Sequence, residues 1–261
     1  MRERVVYIGG AARSGTTVLG RLLASQDDVV WAGELVWLAR DLLEDRRCAC
    51  GHNASDCPFW SAVRQRLSWD DDALRFHCRA TWRGRHLGWL FGSDGAEGVY
   101  DAVAHVADAK TVVDTSKYAA RAHWAQRTAN ARLVWLRQDP DVLLARLMRP
   151  RDHGRSFGLL LAALYTFWVD RCWTRLSKKS PVAEIATETL FRDPVSVLTG
   201  LVEPSRSIQW STDQPLPPVH ALTGHPRAMH DATWDVSPAP SLGFWPSTVA
   251  RWLSWRRGGL P

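Results

Sequence analysis

Five short apolar runs, separated by longer segments with helical spacing, set the pattern of this chain. Each run is three to five residues long and is rich in aliphatic or β-branched side chains, as buried strands are. The runs are Val5–Ile8, Val29–Trp31, Thr111–Asp114, Arg132–Leu136 and Val182–Ala186. Strands that alternate with helices favour a mostly parallel sheet flanked by helices. We therefore predict an α/β fold with a five-stranded sheet.

Helical spacing follows most of the runs. In Thr17–Ser25, for example, the apolar residues recur on one face of a helix. A second signal is the proline of Asp139-Pro140, because proline is favoured in the first turn of a helix. The predicted helices are Thr17–Ser25, Leu35–Leu43, a helix from Asp139-Pro140 to Met148, Ser156–Leu176, Val195–Leu201 and Ser247–Trp255. The segment Ser156–Leu176 is so apolar that we expect it at the centre of the core.

Two regions lack this regular pattern. Residues from about 44 to 98 hold three clustered cysteines and several of the 15 tryptophans, and we interpret them as an insertion that covers the acceptor side of the sheet. Residues from about 203 to 261 are rich in Pro, Ser and Gly, and we expect an irregular C-terminal region. The prediction is one domain that spans residues 1–261.

The loop between the first strand and the first helix carries the strongest chemical signal. It contains Gly10, Arg13, Ser14, Gly15, Thr16 and Thr17. Backbone N–H groups at a helix N-terminus bind anions, and three hydroxyls add donors. The two glycines have the spacing of a nucleotide P-loop, but Thr16 stands where nucleoside-triphosphate enzymes place a lysine. The cation is Arg13 instead. This arrangement disfavours ATP or GTP hydrolysis and favours a donor whose single 5′-phosphate carries a transferable group.

Composition narrows the ligand and the compartment. The formal net charge is +6, and nearly all the cations are arginines scattered along the chain. This charge suits a small anionic ligand and does not require nucleic acid. No apolar stretch is long enough to span a bilayer, and no secretory signal is present, so we expect a cytoplasmic protein. The sequence does not predict the oligomeric state.

Taken with its neighbours, the loop resembles the 5′-phosphosulfate loop of the sulfotransferases that use 3′-phosphoadenosine 5′-phosphosulfate (PAPS). Other segments resemble that family in the same order along the chain: Trp31–Leu35, Cys48–Gly51, Cys57–Trp60, Val113–Lys117, Leu133–Pro140, Glu188–Pro194 and His220–Arg227. The resemblance implies a P-loop sulfotransferase fold, PAPS as donor, and no metal. It also implies transfer of a sulfuryl group to a hydroxyl or amine of a small-molecule, carbohydrate or secondary-metabolite acceptor.

The implied reaction assigns roles to three charged residues. Arg13 and the loop N–H groups would bind the 5′-phosphate and stabilise the leaving oxygen, and Lys117 would reach the sulfuryl oxygens. Glu34 follows the second strand and is the candidate general base. Four histidines are alternatives for that base: His52, His77, His86 and His153.

The 3′-phosphate site departs from the family pattern. Arg137 is the expected arginine, but the serine that usually follows eight residues later is Ala145 here. Aligning on Asp139-Pro140 instead puts Gln138 in the place of the arginine and Arg146 in the place of the serine. We expect Arg137 to bind the 3′-phosphate, with Arg146 or Arg227 making up the charge.

The three clustered cysteines leave alternatives open. Cys48, Cys50 and Cys57, with His52 between them, have the ligand types of a zinc site. However, the Cys-x-Cys spacing is tighter than in usual zinc fingers, and no second Cys-x-x-Cys pair follows. Reduced structural cysteines are typical of cytosolic enzymes, and a disulfide is a further alternative.

Two other functions compete with sulfuryl transfer. A small-molecule P-loop kinase would need a magnesium ligand and a phosphate-binding lysine, roles for which Asp114 and Lys117 are available, although Thr16 argues against it. A catalytically inactive anion-binding module is the other alternative, favoured by the missing 3′-phosphate serine and disfavoured by the presence of Arg13, Glu34 and Lys117.

Overall fold

The computed structural model describes residues 4–80, 98–149, 158–202, 219–223 and 249. Within them, five parallel strands form one sheet in the order β2-β3-β1-β4-β5. The strands are β1 (Arg4–Gly10), β2 (Val29–Trp31), β3 (Thr111–Lys117), β4 (Arg132–Arg137) and β5 (Val182–Ala186). The prediction of a mostly parallel five-stranded sheet is confirmed.

Helices connect the strands and cover the sheet. Ten α-helices lie within residues 4–80, 98–149 and 158–202, together with a 3-10 turn at Leu35–Trp37. They are α1 (Thr16–Leu23), α2 (Leu38–Leu43), α3 (Pro58–Leu67), α4 (residues 71–80), α5 (Val99–Ala107), α6 (Ala119–Ala129), α7 (Pro140–Met148), α8 (Leu159–Ser177), α9 (Thr187–Arg192) and α10 (Pro194–Leu201). None of the described helices is long and apolar enough to cross a membrane.

Both faces of the sheet are buried, as the alternation along β1 shows. Val5 and Tyr7 pack in one core cluster, whereas Val6 and Ile8 pack in another on the opposite face. Successive side chains of a strand point to opposite faces, so each face of β1 is covered by its own layer of helices.

The carboxyl ends of the central strands meet at one edge of the sheet. Gly9 of β1 lies opposite Lys117 of β3, and Gly10 lies opposite Leu136 of β4. The glycine-rich loop therefore leaves the sheet between the ends of β3 and β4. Ligands of parallel α/β sheets bind at such an edge.

The expectation that the helix predicted at Ser156–Leu176 lies at the centre of the core is wrong. The observed α8 buries only four side chains, Ala162, Thr166, Trp173 and Leu176. Leu160 is 72% exposed and Trp168 is 61% exposed. The helix packs by one stripe against α6, α7 and β1, so its high apolar content does not correspond to burial on all sides.

The insertion contributes helices rather than a separate core. Trp60 and Val63 of α3 are buried in the same cluster as Val99 and Val103 of α5. The predicted C-terminal helix Ser247–Trp255 lies outside the described residues except for position 249.

Candidate active site at the carboxyl edge of the sheet

The loop between β1 and α1 folds compactly at the N-terminus of α1 and is the candidate anion cradle. Both the backbone N–H and the hydroxyl of Ser14 donate to the carbonyl of Ala11, at 3.2 and 2.8 Å. Gly10 and Gly15 have φ angles of 147° and 90°, and a Cβ on Gly10 would lie 2.5 Å from the carbonyl oxygen of Leu136. Larger residues would thus be excluded by strain at both positions and by a clash at the first.

The N-terminus of α1 is suited to an anion. Gly15 supplies no side-chain cap, and the first turn, which begins at Thr16, contains no acidic residue. The first N–H groups of a helix have no partner within the helix, and the helix dipole adds positive potential there. The N-terminus of α1 therefore offers both hydrogen-bond donors and a positive electrostatic potential to a phosphate group.

Arg13 lies at the meeting point of this loop and α7. Its guanidinium donates to the carbonyl oxygen of Arg146 and, at 3.4 Å, to that of Arg149. The guanidinium of Arg146 donates in return to the carbonyl oxygen of Arg13, at 3.4 Å. Gln138 bridges these two residues when its amide is oriented to match donors with acceptors. Its amide nitrogen then donates to the carbonyl oxygen of Arg13 at 3.1 Å, and its amide oxygen accepts from the guanidinium of Arg146 at 2.7 Å. Burial lowers the pKa of Arg146.

The structure brings Glu34 and Lys117 together. The ammonium group of Lys117 donates to the carboxylate of Glu34, and the two side chains are only 19% and 11% exposed. Lys117 ends β3 beside Gly9, with a φ of 71°, which directs the chain away from the strand. Glu34 follows β2, and its N–H donates to the carbonyl of Thr223 at 3.2 Å. The candidate cation and the candidate base thus share one site next to the start of the loop.

A buried polar network holds these two residues in register. The carboxylate of Asp114 accepts from the hydroxyl of Tyr100 at 2.9 Å and from the N–H of Leu35 at 3.3 Å. The hydroxyl of Ser116 donates to the same carboxylate and accepts from the N–H of Val36 at 2.9 Å. Burial raises the pKa of Asp114 to about 6. The network joins the end of β3 to the segment after Glu34.

Arg137 lies at the same edge, turned toward β5. Its guanidinium pairs with Glu184 at 2.7 Å and covers the ring of Trp135 at 4.6 Å from the ring centroid. Sequence reasoning missed Thr187, whose buried hydroxyl lies 2.9 Å from the carbonyl oxygen of Ser14 and 3.0 Å from that of Arg137. Its position directly after β5 is the signal that a search of strand ends would have used.

The other predicted residues separate into two groups. His52 is exposed beside Cys50, and His77 packs against Trp69 with ring centroids 4.3 Å apart; burial lowers the pKa of His77. His86, His153 and Arg227 lie outside the described residues.

Comparisons with known proteins identify the family and the fold. A family model described as the sulfotransferase family matches residues 6–204. A solved structure, the sulfotransferase domain from the curacin biosynthetic pathway, shares the fold with a TM-score of 0.55 at 16% identity, covering 100% of this chain and 99% of that chain. The sulfotransferase STF1 from Mycobacterium tuberculosis H37Rv has a TM-score of 0.49 at 15% identity, covering 100% of this chain and 78% of that chain.

No curated protein sequence gives a significant match. The family model nevertheless spans more than half of the chain, from Val6 in β1 through the glycine-rich loop and all four other strands. The chain belongs to the sulfotransferase family.

Proposed function

We propose that this protein transfers a sulfuryl group from PAPS to a hydroxyl or amine of a small-molecule acceptor. The observation that carries the proposal is the uncapped N-terminus of α1 behind a glycine-rich loop whose sequence has Arg13 and no lysine after Gly15. The lysine that bridges the outer phosphates of a nucleoside triphosphate is missing from the loop. A cradle of this kind fits one phosphate that carries a further anionic group.

The residues of the loop fit the donor. PAPS supplies an activated sulfuryl group on its 5′-phosphate. The N–H groups at the start of α1 and the guanidinium of Arg13 would hold that phosphate and stabilise the charge that develops on the bridging oxygen. Arg137, Arg146 and Arg227 remain the candidates for the 3′-phosphate. Of these, Arg146 directly contacts the loop backbone at Arg13.

The pair of Glu34 and Lys117 supplies the remaining chemistry. Transfer requires a base that accepts the proton of the acceptor and a cation near the sulfuryl oxygens. Glu34 offers a carboxylate with little exposure, and Lys117 offers the ammonium group that contacts it. An acceptor hydroxyl that enters between them would donate to Glu34 and leave Lys117 facing the sulfuryl group.

The environment of Asp114 disfavours the kinase alternative. Its side chain is fully buried and already accepts from Tyr100, Ser116 and Leu35. A magnesium ligand must direct a carboxylate oxygen at the metal, usually with water and phosphate completing the shell. Asp114 instead serves the network that positions the end of β3.

The test compares ligand-induced stabilisation of the folded protein. Adenosine 3′,5′-bisphosphate should raise the melting temperature, whereas ATP with Mg²⁺ should not. At one hundred times Kd, linkage gives about 2.7 kcal/mol, or a shift of about 5–11 °C for a chain of this size. Incubation with PAPS and a panel of phenols, sugars and amines should then yield a sulfated product detectable by mass spectrometry. Stabilisation by ATP with Mg²⁺ alone would contradict the proposal.

A further inference from the structure

Four side chains from two distant parts of the chain converge beside the insertion. The sulfur of Cys57 lies 3.6 Å from that of Cys50 and 3.8 Å from that of Cys48. The Nδ1 atom of His220 lies 3.4 Å from the sulfur of Cys57 and 3.9 Å from that of Cys48. All four potential ligand atoms lie within 4.8 Å of one another. We refer to Cys48, Cys50, Cys57 and His220 as the Cys/His cluster.

The four separations given above are close to those of a tetrahedral metal site. Zinc–sulfur bonds of about 2.3 Å and zinc–nitrogen bonds of about 2.0–2.1 Å place two sulfurs about 3.8 Å apart and a sulfur and a nitrogen about 3.5 Å apart. The sulfur–sulfur distances of 3.6 and 3.8 Å are close to the first value. The sulfur–nitrogen distances of 3.4 and 3.9 Å lie on either side of the second.

Backbone N–H groups face the sulfurs of the cluster. Those of Cys50, His52 and Trp60 approach the sulfurs of Cys48, Cys50 and Cys57, respectively, while burial of the sulfurs acts against their charged form. Cys57 also stands at the N-terminus of α3, where the helix dipole favours a negative charge. Hydrogen bonds to the ligand atoms of this kind orient a metal site and tune its ligands.

The fourth member of the cluster is held in place independently. The ring of His220 stacks on that of Phe59, with centroids 4.8 Å apart and an interplanar angle of 9°. The N–H of Ala49 donates to the carbonyl oxygen of Ala221 at 2.8 Å, which fixes the neighbouring backbone. His52 was the histidine that the sequence placed among the cysteines, but it is exposed and is not a member of the cluster.

A disulfide does not account for the arrangement. All five cysteines of the chain are free thiols, and a sulfur–sulfur bond would be about 2.05 Å long. A disulfide between two of the clustered cysteines would also leave the third cysteine and the histidine without a role. Three thiolates and one imidazole in a closed tetrahedron are instead the donor set of structural zinc.

We propose that Cys48, Cys50, Cys57 and His220 bind one zinc ion in a closed structural site. The site fastens residues 219–223 to the insertion. From there the segment reaches the candidate active site, because the carbonyl of Thr223 accepts from the N–H of Glu34 at 3.2 Å. All four coordination positions are filled by the protein, so the ion is structural and takes no part in sulfuryl transfer. This site departs from the absence of a metal that the family resemblance implies, and it depends on His220, which is remote in sequence from the cysteines.

The experiment measures metal content, which does not depend on the donor that the loop binds. The full chain, purified from zinc-supplemented medium and dialysed, should retain about one zinc ion per molecule. Reconstitution with Co²⁺ should give the intense visible bands of a tetrahedral thiolate site and a thiolate-to-metal charge-transfer band. Substoichiometric zinc in folded wild-type protein, together with rapid modification of Cys50 and Cys57 by a thiol reagent, would overturn the proposal.

Variants identify the ligands. His220→Gln should lower zinc retention and change the Co²⁺ spectrum, whereas His52→Gln should leave both unchanged. Cys57→Ser should remove the charge-transfer contribution of one thiolate, with Cys172→Ser as the matched control on α8. If a variant does not fold, competition of the wild-type protein with a chromogenic chelator still decides the question. Loss of metal from His52→Gln but not from His220→Gln would contradict the assignment.

Discussion

The substitution Glu34→Gln tests the candidate base most directly. Glutamine keeps the shape of the side chain but cannot accept a proton, so we expect turnover to fall by about 10²–10⁴-fold. Affinity for adenosine 3′,5′-bisphosphate should stay within about threefold, because the donor cradle is formed by the loop and α1. The expected signature is therefore a large loss of kcat with little change in donor binding.

The same substitution has a smaller effect on stability. Glu34 and Lys117 are 11% and 19% exposed, between a surface pair and a fully buried one. Surface pairs contribute about 0–1 kcal/mol, and breaking buried pairs costs about 3–5 kcal/mol. Because glutamine still accepts a hydrogen bond from Lys117, we expect a loss of about 1–2 kcal/mol, or about 2–8 °C in melting temperature. This loss leaves the protein folded during the assay.

A double-mutant cycle separates catalysis from positioning. If Glu34 acts as the base, Glu34→Gln should lower turnover in the Lys117→Met background as well as in the wild type. If Glu34 only holds Lys117, the double variant should equal Lys117→Met alone. Asp28→Asn is the matched control, because Asp28 pairs with Lys110 at 2.6 Å before the start of β3, where both side chains are exposed. The base assignment fails if Glu34→Gln retains near-normal turnover or has no effect in the Lys117→Met background.

Three further substitutions probe the loop, the strap formed by residues 219–223, and the buried network around Asp114. Arg13→Ala should weaken binding of adenosine 3′,5′-bisphosphate by about 10–100-fold in calorimetry, since it removes a charged hydrogen bond, whereas the exposed control Arg75→Ala should not. Gly33→Ala should lower the free energy of unfolding by about 1–3 kcal/mol, because φ is 78° and the Cβ would lie 2.7 Å from the carbonyl oxygen of Thr223. The control Gly98→Ala should cost less, because φ is similar at 82° but the nearest atom to its Cβ would be 3.9 Å away. Equal costs in denaturant unfolding would refute the clash at Gly33. The pKa of Asp114 is raised from 3.8 to about 6, so its protonated form contributes stability that is complete below pH 3.8 and lost as pH rises through 6. Relative to Asp114→Asn, the wild type should therefore lose about 3 kcal/mol of unfolding free energy as the pH rises from 3.8 to 6. A difference in melting temperature between the two proteins that does not change with pH would contradict the raised pKa.

The strands show where sequence patterns suffice and where they do not. The bounds of β2 and β5 are those that the apolar runs predict, because those strands are bounded by clear polar or glycine signals. β3 continues through Thr115 and Ser116, which a hydropathy pattern reads as the end of a strand. Their hydroxyls are satisfied by Gly33 and by the segment after Glu34, which are remote in sequence, so no local pattern could indicate burial.

The site shows the same division. The candidate donor cradle lies in one continuous stretch, and sequence alone can propose it because a glycine-rich loop and a helix N-terminus are local features. Thr187 and His220 were not assigned roles, because each acts through a contact made across the fold. His220 is 163 positions from Cys57, and the nearer His52 attracted the sequence-based hypothesis instead.

The donor side and the base side of the candidate site are held by different parts of the chain. The donor side depends on residues 10–17 and their contacts with α7, whereas Glu34 is held between the polar end of β3 and the strap of residues 219–223. The strap is in turn fastened at His220, in the Cys/His cluster. Disturbing the cluster should therefore change the placement of the base while leaving the anion cradle intact. A reduction in transfer without loss of donor binding is the expected result of such a disturbance, because Glu34 contacts the strap at Thr223, whereas the donor loop is held by α7 and Thr187.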